Sequence, residues 1–514
     1  MAERWILAID LGNGGPKVGV VTLGGEIAAT AFEPVDVQIG LDGTATQDPH
    51  EWWTSLVAAA RAAIAESGLA GDDLHAVAVT GQWGTTVCVD ADGQPVGQAI
   101  LWADTRGGKY SAKLVGGPVS VQGYAPQKVL PFVRFTGGAP TPSGADPTGH
   151  SLLLQNEFAA NYTRTRVMLE PVDYLGLRLT GRAASTPANM TASWLTDNRV
   201  GAAPTYVDDL VRRARRDRAK LPQLLPTASV LGELLPEVAE SLGVRGGAPV
   251  VCGIPDLHAA IVGSGAVAPF ETHLTISTTA WLSARVPFKR TDLLHSIATV
   301  PGLDAQFPVV ANNHETGGAA LQWLRQQVIA PDDLLGGPDA SYDDLTALAA
   351  TAPAGSEGVL FTPWLNGERS PVDDKAVRAA FVNLSLRTDR AMMVRSVLEG
   401  VAYNARWLFD PYEKFLRRTV PSVRILGGGA ESGLWCQIHA DILDRPVEQV
   451  AHPRDAQLRG VALWARVVLG EIALEDVPAM VPVGGRFEPG GQAEYREGYE
   501  RYRGLYKRLA PISR

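Results

Sequence analysis

The sequence predicts a mixed α/β protein built from two similar domains, and three observations carry that expectation. The chain has 514 residues, whereas single hydrophobic cores stop growing beyond roughly 250–300 residues. Its first half opens with strand-like runs and then alternates strand with helix, the pattern of a mixed sheet with helices packed on its faces. Its second half restarts at "THLTISTTAWLSARVPF" with the strand–turn–strand outline of the opening, "WILAIDLGNGGPKVGVVTLGGE". The expected boundary lies near residues 266–270, giving units 1–266 and 267–514, with a ligand expected in the cleft between them.

The elements follow in order. "WILAID" reads as a strand, "LGNGGP" as a tight turn, "KVGVVTL" as a second strand and "IAATAFEP" as a third. Helical periodicity marks "PHEWWTSLVAAARAAIAES"; "LHAVAVT" and "TTVCVD" read as strands, and "DADGQPV" as a hairpin turn. Between about Gly107 and Gly149 proline and glycine crowd the chain, and no regular structure is expected there. Helical spacing returns in "SLLLQNEFAANYTRTRVMLEPVDYLGLRLTG", and the half closes on "APVVCGIPDLHAAIVGSGAV". After the restart, helices are expected in "GGAALQWLRQQV", "RAMMVRSVLEGVAYNARWLFDPYEKFL" and "GLWCQIHADIL", with the strand "VRILGGG" before the last.

Composition narrows the function. A net charge of −9 argues against a nucleic-acid or anionic-membrane surface, which needs clustered positive charge. The basic run "RRARRDRAK", residues 212–220, reads as a solvated helix face. Three cysteines, far apart and without metal-ligand spacing, suggest neither a disulfide framework nor a zinc site. With no signal-peptide pattern at the N-terminus and no apolar run of about 18 residues, a cytoplasmic location without a membrane span is the expectation.

Chemistry concentrates at the glycine-rich turns. Gly12, Gly14 and Gly15 let backbone N–H groups approach an anion such as phosphate, with Lys17 as a cation just beyond. Asp10, at the strand's end, suits a carboxylate holding a water on a magnesium ion. Neither the P-loop nor the Rossmann glycine pattern occurs. "ILGGGAESGLWCQIHADIL" instead sets Gly428, Gly429 and Ala430 before a helix N-terminus, a geometry suited to a nucleotide.

In this order and over nearly the whole chain, the motifs resemble the FGGY carbohydrate kinase family. "AIDLGNGGPK" looks like its first phosphate motif, "TISTTAW" its second and "LGGGAESGLWCQIHADILDRPV" its adenosine motif. "TQDPHEWW", "VTGQWGTTVCVDADGQPVGQAILWADTRG", "GIPDLHAAIVGSGAV" and "FTPWLNGERSPVDDKAVRAAFVNLSL" are similar to its Gln-Asp-Pro, sugar-site, catalytic-aspartate and Gly-Glu-Arg-Ser/Thr-Pro segments. The resemblance implies two ribonuclease H-like domains, as in actin, hexokinase and Hsp70, and transfer of phosphate from MgATP to a small sugar, ketose or polyol. It implies Asp256 as catalytic base and Asp10 at the magnesium. Gly12, Asn13, Lys17, Thr278, Gly428, Gly429 and Ala430 would hold ATP, with Gln82, Trp83, Asp104 and His258 beside Asp256 at the sugar. A xylulose-like ketose is the expected substrate, and a homodimer is an assembly the resemblance allows.

The sequence also departs from the family. Asn13, Gly14, Gly15 and Pro16 replace hydroxyl-bearing residues in the first phosphate turn, and Ser277, Thr278, Thr279 and Ala280 replace a Gly-Thr-Ser-Gly in the second. Asn13 still offers an amide donor. A weakened, nucleotide-binding sensor that kept the fold is therefore a second reading. Gln82-Trp83-Gly84-Thr85 lacks the Arg and Glu of glycerol kinases, and Trp83 either stacks on a sugar or fills a pocket. Asp104 and Arg106 form either an internal ion pair or a sugar contact, His258 is either a contact or a buried helix residue, and His314 and Glu315 are loop or substrate-side residues.

Overall fold

The computed structural model describes residues 3–513 apart from Val121 and residues 334–338. Two sheets dominate. The first contains β1 (Trp5–Gly12), β2 (Gly15–Thr22), β3 (Ile27–Phe32), β4 (Leu74–Gly81), β5 (Val230–Glu233), β6 (Pro249–Val251) and the short β7 (Ile254–Pro255). Their order is β5-β6-β4-β1-β2-β3, with β7 beside β4. β1 and β2 form an antiparallel hairpin in which Gly12 faces Gly15, while β1 runs parallel to β4.

Strand alternation assigns β1 two different jobs. Trp5, Leu7, Ile9 and Leu11 pack with Trp52, Leu56, Ala59, Ala60 and Ala63 of α1 (Pro49–Ser67). Ile6 and Ala8 face the other way, onto α2 (Asp256–Ser264) and a helix from the far end of the chain. The boundaries of α1 are chemical: Asp48 accepts the His50 N–H, Pro49 opens the first turn, and Gly68 closes it at φ 66°.

The second sheet repeats the plan. β8 (Thr272–Ile276) and β9 (Ala280–Ser283) form an antiparallel hairpin, and β8 runs parallel to β10 (Val423–Leu426). β11 (Val447–Val450) and β12 (Val483–Phe487) complete the order β9-β8-β10-β11-β12. α3 (Arg390–Leu416) and α4 (Gly433–Leu443) bury their apolar faces in this core. α5 (Ala456–Val468) crosses back: it packs on β1, β2 and β4 and along α2. The packing therefore does not divide by residue number alone.

Three sequence expectations change. Residues 107–149, expected to be irregular, contain helices Gly108–Val115 and Pro126–Thr136 and the start of Pro147–Glu157. Pro126 and Pro147 occupy first-turn positions that tolerate proline, and Phe132 and Thr136 face inward, Phe132 joining a local cluster with Met190, Leu195 and Tyr206. These helices rest on tertiary contacts rather than on a strong pattern of their own. The helix expected in "GGAALQWLRQQV" is α-helical only over Ala319–Leu324 and continues as a π-turn over Arg325–Ile329.

The basic run is not uniformly solvated either. Arg212 and Arg213 pair with Asp209 at the surface, but Arg216 is buried and donates to the Pro147 carbonyl at 2.9 Å. Cys88, Cys252 and Cys436 are free and buried. Among the described residues no helix is long and apolar enough to cross a membrane.

Candidate active site

Strand register brings two carboxylates together. Asp10 of β1 and Ile254 of β7 both align with Thr80 of β4, and Pro255 aligns with Gly81. Asp256 is the next residue, so Asp10 and Asp256 emerge at the same edge of the sheet from strands flanking β4. Asp256 opens α2, and its Oδ1 accepts the Leu257 N–H at 2.7 Å. Burial, then the negative charge of Asp10, pushes the Asp256 carboxyl up to about 7. Burial also raises Asp10, Lys17 opposes the rise, and Asp455 adds to it. No hydrogen-bond donor meets the Asp10 side chain among the described residues.

The first glycine-rich turn is a two-residue hairpin tip, Asn13 and Gly14, both exposed. Gly15 has φ +129°, and a Cβ there would lie 2.1 Å from the Glu33 carbonyl, so only glycine fits. Gln47 Nε2 donates to the Asn13 carbonyl at 2.8 Å, and Trp102 Nε1 donates to Asn13 Oδ1 at 2.9 Å. The Asn13 amide nitrogen has no partner among the described residues and remains a donor. Lys17 stands differently from its expected place: Nζ pairs with Asp455 at 3.0 Å and donates to the Arg454 carbonyl at 2.7 Å, tying β2 to the start of α5.

The second turn, Ser277–Thr279, leaves Thr278 exposed. Gly317 and Gly318, which the sequence reading passed over, brace it from behind. Their N–H groups donate to the carbonyls of Thr278 (2.9 Å) and Ser277 (2.6 Å), and a Cβ on Gly317 would lie 2.5 Å from the Thr279 oxygen. The third turn lies alongside. Gly427, at φ +92°, approaches so closely that a Cβ would meet the Ile276 oxygen at 2.4 Å. Gly428 is exposed, Gly429 lies over Ile276, and Ala430 is turned into the core, where its carbonyl accepts from Gln449. The turn after β8 and the glycine turn after β10 thus form one continuous rim.

On the sugar side, Gln82 is buried, its N–H donates to the Leu11 carbonyl at 2.9 Å, and its Nε2 has no partner among the described residues. Trp83 is partly buried in an apolar cluster that includes Trp281, Val300, Leu303 and Val309 from the second half, which favours the pocket-filling role. Asp104 is fully buried in a bidentate pair with Arg106 (2.7 Å at its shortest) and also accepts the Ala45 N–H, so the ion-pair alternative describes it. His258 is buried in α2 with Nε2 2.7 Å from the Pro301 carbonyl, and burial holds its ring neutral, with a pKa of about 4. That is the buried-helix alternative. His314 meets Asn404 at 2.8 Å, and Glu315 pairs with Arg369 and Lys375.

The first sheet thus carries two acids at its strand ends and the second, of the same plan, carries glycine-supported turns; the sequence matches family models over two stretches. Residues 5–131 fit the N-terminal domain, and residues 294–469 the C-terminal domain, of the FGGY family of carbohydrate kinases. The chain belongs to that family. This FGGY kinase is therefore a phosphotransferase with an alcohol acceptor. It is 26% identical to a xylulose kinase of Staphylococcus epidermidis, with 100% of this chain and 98% of the relative covered. It is 27% identical to a glycerol kinase of Citrifermentans bemidjiense, over 98% of both chains. Among solved structures, a gluconate kinase from Lactobacillus acidophilus superposes with a TM-score of 0.83 at 20% identity, covering 99% of each chain. A xylulose kinase from Rhodospirillum rubrum does so at 0.80 and 25%, covering 99% of this chain and 100% of the other.

Proposed function

We propose that this FGGY kinase transfers the γ-phosphoryl group of ATP to a hydroxyl of a small ketose or polyol, with Asp256 as general base. The observation that carries this reading is the Asp10–Asp256 pair: a carboxylate raised to about 7 at the mouth of the sheet, with a second, unbonded carboxylate beside it. The substrate hydroxyl attacks the γ-phosphorus. A new O–P bond forms, the bond to the ADP oxygen breaks in line, and the hydroxyl proton passes to Asp256. A raised pKa suits this role, because a carboxylate of ordinary acidity would hold the proton too weakly.

ATP and a magnesium ion fit the residues present. Asp10 is a buried carboxylate that no hydrogen-bond donor meets among the described residues, suited to a hydrated cation, and the exposed backbone at Asn13, Gly14, Thr278 and Gly428 is open to phosphates. Magnesium, when bound, supplies positive charge against the phosphate oxygens. Within this chain, Asn13 contributes its free amide donor, and the Lys17–Asp455 pair holds the hairpin to α5. A five-carbon ketose such as xylulose is the favoured acceptor. The full-length likeness to xylulose kinases supports it, and the absence of the Arg and Glu of glycerol kinases argues against glycerol.

The test is acceptor-dependent ADP release across a panel of ketoses, aldonates and polyols. Release with a pentulose, abolished in Asp256→Ala, is the expected outcome. Nucleotide binding with no acceptor-dependent release would favour the sensor reading, for which Ser277 and Ala280 in place of glycine, with the altered first phosphate turn, are the motivating feature.

The pH profile is a second expected outcome. Because the base must be ionised, kcat/KM falls about tenfold per unit as pH drops below about 7. In Asp10→Asn the like charge is gone, so the acid limb moves to lower pH. A limb that stays in place would break the electrostatic link between the two carboxylates.

A further inference from the structure

Glu170 is absent from every motif the family resemblance supplies, yet its side chain reaches the acceptor-side turn. It is the residue immediately before helix Pro171–Thr180, it is 2% exposed, and its Oε2 accepts two backbone N–H groups, from Gly84 at 2.8 Å and Thr85 at 3.2 Å. Those two amides belong to the turn that carries Gln82 and Trp83. Gly84 is held at φ +77°, a left-handed conformation that favours glycine.

The connection continues beyond the turn. Trp102 N–H donates to Thr85 Oγ1 at 3.2 Å, and the Thr85 hydroxyl contacts Gln82 Oε1 at 3.4 Å. Trp102 Nε1 in turn donates to Asn13 Oδ1 at 2.9 Å. One chain of hydrogen bonds therefore runs from Glu170 through the 84–85 turn and Trp102 to the tip of the first phosphate hairpin.

We propose that Glu170 is a positioning residue: it fixes the turn bearing Gln82 and Trp83 against Asp256 and, through Thr85 and Trp102, sets the Asn13 hairpin in register with it. This rests on the kinase reading above. Glu170 touches neither reacting group and acts through the two amides it binds. Burial and the neighbouring Asp173 hold its carboxyl well above the usual carboxylate range. Its Oε2 accepts both amides. A glutamine carboxamide has the same acceptor and nearly the same shape, whereas leucine has the bulk but no acceptor.

The experiment compares Glu170→Gln and Glu170→Leu in the full chain. With the acceptor found in the panel, Glu170→Gln is expected to keep KM and kcat within twofold of wild type. Glu170→Leu is expected to raise acceptor KM about tenfold with a smaller fall in kcat, since two buried N–H groups lose their partner. Thr85→Val, which cuts the chain one step later, should raise KM in the same direction. Equal damage from Gln and Leu, or a KM unmoved in Glu170→Leu, overturns the proposal. So does a KM rise accompanied by an equal fall in kcat and a general loss of protection from amide exchange.

A readout independent of turnover separates this from the kinase reading. Hydrogen exchange at the Gly84 and Thr85 amides should accelerate at least tenfold in Glu170→Leu and stay as in wild type in Glu170→Gln, with the α1 amides unchanged in both. If no acceptor supports turnover but this exchange pattern holds, the kinase reading fails while Glu170 still fixes the turn. If turnover is present and the two amides exchange alike in all three proteins, the positioning role fails alone.

Discussion

Replacing Asp256 by asparagine is expected to cut acceptor-dependent turnover by about 10³-fold while making the protein more stable at pH 8. The two effects have one cause. Folding places this carboxyl among buried groups beside Asp10 and lifts it from 3.8 to about 7, so the folded chain holds the proton more tightly than the unfolded chain. Stability therefore falls as pH rises from about 4 to about 7 and is level above that range. Discounted for the part of the side chain that faces solvent, the penalty at pH 8 is about 2 kcal/mol.

Asparagine cannot ionise and escapes this penalty, so the melting temperature should rise by a few degrees at pH 8 and not at pH 4. Asparagine can still accept the Leu257 N–H, which keeps the start of α2 intact. Calorimetry at the two pH values, beside the turnover assay, checks both halves. An activity loss with no pH-dependent gain in stability would mean that the carboxylate is not strained in the folded state, and the argument for its basicity would go with it.

The sequence was most legible where local chemistry marks both ends of an element. The spans expected for α1, α3 and α4 coincide with the observed helices because Asp48, Asp389 and Ser432 each accept an N–H of the first turn. Asp48 is followed by Pro49, and Gly68 stops α1. The hairpin of β1 and β2 was readable for the same reason, since a glycine-dense pair between two apolar runs leaves few other conformations. The short helices between residues 108 and 136 were not readable. Pro131 interrupts the pattern of the second, whose Phe132 packs on Met190, Leu195 and Tyr206, far away in sequence.

The site divides along the same line. Asp10 and Asp256 could be picked out because each follows a strand-like run, and β4 places them side by side. Glu170, Asp455 and Gly317 carry no local signature. A glutamate before a proline looks like any helix start until the Gly84 and Thr85 amides arrive from 86 and 85 positions away. Lys17 illustrates the reverse case: its place beside a glycine turn was evident, but its engagement with Asp455, 438 residues on, was not.

The second large effect belongs to the crossing of α2 and α5. A Cβ on Gly263 would lie 1.9 Å from the Ala456 oxygen, and one on Gly460 would lie 2.1 Å from the Ala259 oxygen. Both obstacles are backbone atoms, which cannot rotate aside as a side chain would. Alanine in place of a mid-helix glycine ordinarily gains about 1 kcal/mol from helix propensity. Overpacking against rigid backbone costs about 1–3 kcal/mol or more, so the clash decides the sign.

Gly263→Ala and Gly460→Ala are each expected to lower the midpoint of denaturant unfolding. Gly433→Ala, at the first residue of α4, is the control: its nearest neighbour is a Phe487 ring carbon at an ordinary 3.7 Å, and it should be neutral or slightly stabilising. The effect reaches the chemistry, because α2 begins at Asp256 and α5 packs against β1, which carries Asp10. Forcing the helices apart must move one carboxylate relative to the other. The two alanine variants should therefore also lose kcat at temperatures where they remain folded, and a Gly460→Ala protein that unfolds and turns over like wild type would show that the two helices can separate at no cost to either.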